Sequence, residues 1–209
     1  MSSILLVGAT GLVGRHVLAQ ALADPRVTRV VALTRRPLPA GPKLENPVVD
    51  FDALPADAVW WRADAVICTL GTTQKVAGSQ AAFRKVDFDY PLAIAKLARQ
   101  HGTQAYALTS SVGASARSPS FYLRTKGQLE RELAGVGFPS LTIVRPAGIY
   151  GERSPPRAME SLAMGVMRHL APIIPRRYRV VTPAQIAKAL IQGALTAPPG
   201  MNFIESEAL

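Results

Sequence analysis

The chain is poor in the residues that build several kinds of site. It has one cysteine, Cys68, in 209 residues, so it has no internal disulfide and no thiolate metal cluster. Cys68 reads as a small apolar residue in a strand. The three histidines, His16, His101 and His169, are scattered and form no H-E-x-x-H pair. No apolar run approaches the ~18 residues that a bilayer crossing needs. No basic start and cleavage pattern of a secretory signal precedes the first strand, which makes the cytoplasm the default expectation. Aromatics are few, at 6%, and none interleave with basic residues as on a base-stacking platform. Acids are outnumbered, 14 to 24, giving a formal charge of +10. Such a charge favours anionic partners. The basic residues are nevertheless spread along the chain, clustering only at Arg35-Arg36 and Arg176-Arg177-Arg179. That distribution argues against nucleic acid and suits a small phosphorylated ligand.

What is present is a regular alternation of short apolar strands and amphipathic helices. Strands are expected at Ile4–Val7, Val27–Thr34, Val48–Asp50, Ala65–Thr69, Tyr106–Thr109 and Leu141–Val144. Helices are expected at Leu12–Ala23, Ala81–Gln100 and Pro183–Ala197, the last capped by Thr182 with Pro183 at its first position. A further helix should follow Ser118 as its cap and Pro119. Pro37–Pro47 reads as a loop and Asn202–Ile204 as a last edge strand. This order predicts one α/β domain over 1–209, a doubly wound, mostly parallel sheet. Residues 147–182, rich in proline and methionine, read as a small C-terminal substrate-side lobe.

The first strand runs into Gly8, Gly11 and Gly14, spaced G-x-x-G-x-x-G, and then into a helix. In that context the glycines suit a dinucleotide pyrophosphate. The first turns the chain, the second admits the phosphate, and the third packs helix on sheet. Candidate cofactor contacts there are Gly8, Ala9, Thr10, Gly11, Leu12 and Val13. The second strand ends in Thr34-Arg35-Arg36 where an acid would accept ribose hydroxyls. A guanidinium matches a 2′-phosphate, so NADP(H) is expected over NAD(H). Asp50 and Phe51 are placed at the adenine, as a hydrogen-bonding group or a plain loop cap. Thr69, Leu70 and Gly71 would lie beneath the dinucleotide.

About a hundred residues on, Tyr122, Lys126 and Glu130 fall at i, i+4 and i+8 of one helix face. Leu129, Leu133 and Val136 form the anchoring stripe. A tyrosine needs its hydroxyl pKa lowered by about 3 units to act as a base near neutrality, or about 4 kcal/mol. A lysine cation at ~4 Å and an effective dielectric of ~20 supplies roughly that. Ser111, after the fifth strand, could polarise a substrate oxygen, with Ser110 as the lesser choice. Asp87 reads as structural, bonded to neighbouring backbone.

The segments Gly8–Gly14, Thr109-Ser110-Ser111, Tyr122–Lys126 and Arg145–Gly151 resemble the short-chain dehydrogenase/reductase superfamily in its atypical or extended branch. Cys68–Thr73, Val48–Phe51 and Phe121–Gly127 resemble the group around the human 30 kDa Tat-interacting oxidoreductase-like protein. The resemblance implies Tyr122 as acid/base, Lys126 as ribose ligand and tuner of the tyrosine, and Ser111 as helper. It also implies a backbone contact to nicotinamide near Pro146 and Ile149. The family's fourth residue, an asparagine, is replaced near its place by Val86-Asp87-Phe88. The implied activity is hydride transfer to or from a small carbonyl or alcohol. The family also contains non-catalytic cofactor-binding regulators, which leaves a scaffold role, a protein partner or a homodimer open. Epimerase chemistry usually needs a larger sugar-nucleotide lobe. Phe121, Tyr150, Met159, Met164 and Met167 are candidates for an apolar substrate pocket or for lobe core.

Overall fold

In the computed structural model, residues 2–149, 177 and 179–209 are described. A seven-stranded sheet forms the centre, and every strand pair in it is parallel. Its strands are β1 (Ser2–Val7), β2 (Val27–Leu33), β3 (Leu44–Glu45), β4 (Ala65–Cys68), β5 (Ala105–Thr109), β6 (Ser140–Arg145) and, last in the chain, β9 (Gly200–Glu205). Their spatial order is β3-β2-β1-β4-β5-β6-β9. The order reverses beside β1, the topological switch point where such sheets open a crevice. Near-continuous burial of Ile4–Val7, Val30–Leu33 and Ala65–Cys68 follows from covering both faces.

One face carries α1 (Leu12–Ala23) and α6 (Pro183–Thr196), packed over Ile4, Leu6, Ala32 and Ile67. The other carries α4 (Tyr90–Gln100) and α5 (Phe121–Ala134), packed over Leu5, Val66, Leu108 and Ile143. Trp61, fully buried on that second face, donates its indole N–H to Pro55 O at 2.7 Å. Thr182 caps α6 through a reciprocal capping box with Gln185, as expected.

The structure corrects three element boundaries. The third strand is Leu44–Glu45, and the expected Val48–Asp50 contributes a single bridge from Val48 to Thr34. Asp50 instead closes a local turn, accepting from Asp52 N at 2.9 Å. The expected helix 81–100 is three pieces: α3 (Gln80–Arg84), a wide π turn (Lys85–Asp89) and α4. Pro91 in the first turn of α4 has no N–H for the regular ladder. Tyr90 N reaches back five residues to Lys85 O, and the wide turn leaves Asp87 buried. The cap of α5 is Ser120, not Ser118. A short helix, α2 (Gln74–Ala77), lies between β4 and α3.

Of residues 147–182, the structure describes a two-stranded sheet, β7 (Gly148–Ile149) with β8 (Val180–Val181). Tyr150, Met159, Met164, Met167 and His169 lie outside the described residues.

A charged network, buried at Glu130 and half-buried at Arg145 and Glu205, fixes α5 to the sheet. Arg145 at the end of β6 grips Glu130 of α5 with two bonds of 2.6 and 3.0 Å, and reaches Glu205 of β9 at 3.0 Å. Glu130 also accepts from Ser110 Oγ at 2.5 Å. Removing Glu130 leaves Arg145 only Glu205 and takes the acceptor from the buried Ser110 hydroxyl, at a cost of about 1–3 kcal/mol. Glu130→Ala should therefore lower the urea midpoint markedly. Glu132→Ala, which breaks only the exposed pair with Arg131, should shift it by less than about 0.5 kcal/mol.

Candidate functional site

The glycine turn sits at the carboxyl end of β1. Gly8 has φ +90°, in the left-handed region that favours glycine. A Cβ at Gly14 would lie 1.9 Å from Gly8 O, so only glycine lets α1 come this close to the turn. Thr69 closes the turn from β4, its hydroxyl reaching Val7 O at 3.0 Å and Gly8 O at 3.2 Å. Ala9 and Val13 pack into the core, while Thr10 and Gly11 are exposed and Leu12 is half-buried. Gly11 is the helix cap, and no side chain satisfies the first amides of this 12-residue helix. N–H groups without a side-chain cap and a positive dipole end fit a pyrophosphate there.

At the end of β2, Arg35 and Arg36 are exposed and form no side-chain bond or ion pair among the described residues. Phe51 packs against the Tyr90 ring, 5.5 Å between centroids. Lys85 and Tyr90 both bind Asp52 at 2.8 Å beside it. The hydrogen bond from Lys85 first, then that from Tyr90, holds the Asp52 carboxyl below its usual range.

The centre of the site is an ion pair that the sequence did not disclose. Lys126 Nζ lies 2.8 Å from Asp87 Oδ1, with both side chains almost wholly buried. The other Asp87 oxygen accepts from Thr72 N at 2.8 Å. A Cβ added at Gly71 would stand 3.5 Å from Asp87 Oδ1 and 3.8 Å from Lys126 Nζ. Gly71 and Lys126, candidate cofactor contacts 55 residues apart in sequence, are thus brought together. Asp87 does bond to backbone as expected, but its second oxygen serves the lysine. A signal existed: an acid carried into the interior needs a cation, and Lys126 is the one on the inner face of the neighbouring helix.

Tyr122, half-buried, packs edge-on to Phe83 at 5.9 Å between centroids. Burial works against the Lys126 charge, but Asp87, Tyr122 and Cys68 favour it, and the ammonium ends above its ordinary pKa. Burial pushes the Cys68 thiol up, away from thiolate chemistry. Ser110 is committed to Glu130, whereas Ser111 makes only a 3.3 Å bond to Val112 O. The segment carrying Ser111 is held on two sides. Val112 N donates to Pro146 O at 3.0 Å, and Ser115 N to Leu123 O of α5 at 3.2 Å. A Cβ at Gly127 would come 2.2 Å from the Ser115 carbonyl carbon, so this loop lies directly on α5. Pro146 is buried beside the loop, and Ile149 is exposed on β7. Among the described residues no group of His, Cys, Asp and Glu could hold a metal ion. No helix of the described residues is long and apolar enough to cross a membrane.

The pairing has a pH signature. Because the Lys126 pKa is raised on folding, its contribution to stability is complete below the unfolded value of about 10.5 and is lost as pH climbs through the higher folded value. In Asp87→Asn, burial acts on the ammonium against only the weaker pull of Tyr122 and Cys68, and the slope should reverse. The variant should be less stable by about 3 kcal/mol or more near neutrality. Its deficit should narrow as pH passes about 10.5, measured by urea unfolding across the range.

Comparison with known proteins bears on the family and the fold. The profile of the NAD(P)H-binding family matches residues 8–171. The mitochondrial protein fmp52 of Emericella nidulans is 35% identical over 172 residues, covering 78% of this chain and 73% of that protein. Its namesake in Candida albicans is 34% identical over 161 residues, covering 72% and 69%. These relatives are named as mitochondrial, which overturns the expectation of a cytoplasmic location drawn from the N-terminal sequence. Among solved structures, MoeE5 in complex with UDP-glucose and NAD superposes with a TM-score of 0.72 at 18% identity, covering 97% of this chain and 75% of that one. A putative NAD-dependent epimerase/dehydratase from Bacillus halodurans gives 0.68 at 20% identity, covering 100% and 97%. The glycine turn at which the family profile begins is the same turn that leaves the first amides of α1 uncapped, and the chain belongs to the NAD(P)H-binding family.

Proposed function

We propose that this chain is an NADP(H)-dependent oxidoreductase acting on a small carbonyl/alcohol pair through Ser111, Tyr122 and Lys126. The observation that carries the reading is the buried Lys126, held beneath Gly71 and on the same helix face as Tyr122. Burying an ammonium and a carboxylate is costly, and a hydrophobic pair would pack as well. A pair kept despite that cost, beside Gly71 at the end of β4, supports the catalytic reading.

The amides at the start of α1 would hold the pyrophosphate, and Arg35 with Arg36 the 2′-phosphate. Gly71 and Lys126 would lie along the nicotinamide half, with Pro146 and Ile149 beside it. When bound, the nicotinamide supplies the hydride donor or acceptor. Lys126 is paired in charge with Asp87, and its three N–H groups could turn to ribose hydroxyls and the phenol oxygen. Asp87 cancels part of the lysine field at Tyr122, so Lys126 acts more as a hydrogen-bond donor than as a bare charge. Ser111 can turn its hydroxyl from Val112 O to a substrate oxygen, and Tyr122 gives or takes the proton at that same oxygen.

A second reading, a cofactor-binding protein without turnover, is favoured by the same ion pair. In that reading Asp87 keeps Lys126 as a structural charge. Two measurements separate these readings and test the cofactor. Nicotinamide fluorescence should respond at lower concentration to NADPH than to NADH, and Arg35→Ala/Arg36→Ala should weaken NADPH about 10- to 100-fold while leaving NADH near wild type. Equal responses would refute the 2′-phosphate assignment. With a panel of carbonyl substrates, Tyr122→Phe should reduce turnover by at least about 100-fold and retain cofactor binding. Undiminished turnover would remove Tyr122 from the chemistry.

A further inference from the structure

The two arginines at the end of β2 stand on a loop whose backbone is held by one side chain. Asn46 Nδ2 donates to Ala32 O at 2.6 Å and to Thr34 Oγ1 at 2.8 Å. Its Oδ1 accepts from Leu38 N at 2.6 Å. Thr34 Oγ1, having accepted from Asn46, donates onward to Arg36 O at 2.7 Å. The path from Asn46 through the threonine hydroxyl therefore ends on the arginine backbone. Arg35 and Arg36 are bracketed by fixed points at Thr34, Arg36 and Leu38, all traced to residue 46. Thr34 is itself locked into the sheet edge, its N–H on Pro47 O at 3.2 Å and its carbonyl accepting Val49 N at 2.9 Å.

The charge arrangement agrees. Glu45, the neighbouring acid, is taken up by Arg29 at 2.7 Å. Arg35 and Arg36 have no carboxylate partner among the described residues, and two adjacent like charges on a loose loop would swing apart. Only an amide of this length fills the position. It needs two donors toward Ala32 O and Thr34 Oγ1 and one acceptor toward Leu38 N. An aspartate would turn an acceptor on the Ala32 carbonyl and place an anion under the arginines.

We infer that Asn46 is a specificity-determining positioning residue: it presets the Arg35-Arg36 loop to grip a phosphate on the adenosine ribose. The inference rests on the reading of Arg35 and Arg36 as the 2′-phosphate site. Asn46 does not touch the ligand. It removes in advance the ordering cost that a free loop would incur on binding. A polar side chain retained only for the fold would affect every adenine nucleotide alike. A preset loop affects only those bearing the 2′-phosphate.

The test uses the full chain and two probes that carry only the adenosine end, 2′,5′-ADP and 5′-AMP, titrated by calorimetry. Wild type should prefer 2′,5′-ADP. Asn46→Ala should weaken 2′,5′-ADP about 5- to 10-fold and 5′-AMP by less than about 2-fold. Thr34→Val, which keeps shape and removes the relay to Arg36 O, should do the same and guards against a folding defect in the first variant. In an Arg35→Ala/Arg36→Ala background, Asn46→Ala should have no further effect on either probe. Equal weakening of both probes, or no change in 2′,5′-ADP, overturns the role of Asn46. If the double arginine variant loses the preference while Asn46→Ala and Thr34→Val keep it, the inference fails and the phosphate site stands. If wild type shows no preference, the phosphate site itself fails, and the inference with it.

Discussion

A lysine ammonium cannot be left inside a protein without an anion, and the site is arranged around that constraint. Lys126 is met by Asp87 at 2.8 Å, and Asp87 is fixed in turn by Thr72 N. Three elements thereby become one unit: α5, the π turn before α4 and the loop after β4. The π turn is the enabling distortion. Pro91 removes an N–H from the helix ladder, Tyr90 N reaches back five residues, and Asp87 is buried. Loss of either charge leaves the other buried without its partner, which makes the arrangement all-or-none.

A second network of the same kind anchors the far end of α5. Glu130, Arg145, Glu205 and Ser110 connect α5 with β5, β6 and β9. Lys126 and Glu130 are one turn apart, and both face inward beside Leu129 and Leu133. The inner side of α5 therefore carries two charges as well as its apolar stripe. Its outer turns bear ordinary exposed pairs such as Arg131 with Glu132. Helix α5 is therefore held by charge pairing at two successive turns as well as by packing.

Much of this was legible in the residues. Strands that are apolar throughout announced a parallel sheet covered on both faces, and the glycine spacing marked the turn after β1. The i, i+4 spacing placed Tyr122 and Lys126 on one helix face. Periodicity reports a face, however, and not a partner. It could not pair Lys126 with Asp87 or Arg145 with Glu130, because those contacts depend on how separate elements dock. The place of the third strand is hidden in the sequence for a related reason. Val48-Val49 has the stronger strand composition, but Leu44–Glu45 is the segment the loop delivers alongside β2, and Val48 keeps one bridge. The π turn between α3 and α4 is hidden in the sequence because Pro91 reads equally well as the first turn of a new helix.

The proposed chemistry needs Lys126 to reach both the bound dinucleotide and Tyr122, so the most direct measurement is a crystal structure of the protein with NADPH bound. Lys126 Nζ should lie within hydrogen-bond distance of the nicotinamide ribose hydroxyls while still paired to Asp87, and the Tyr122 oxygen should face the nicotinamide ring. A ribose lying away from Lys126, or a nicotinamide remote from Tyr122, would contradict that chemistry.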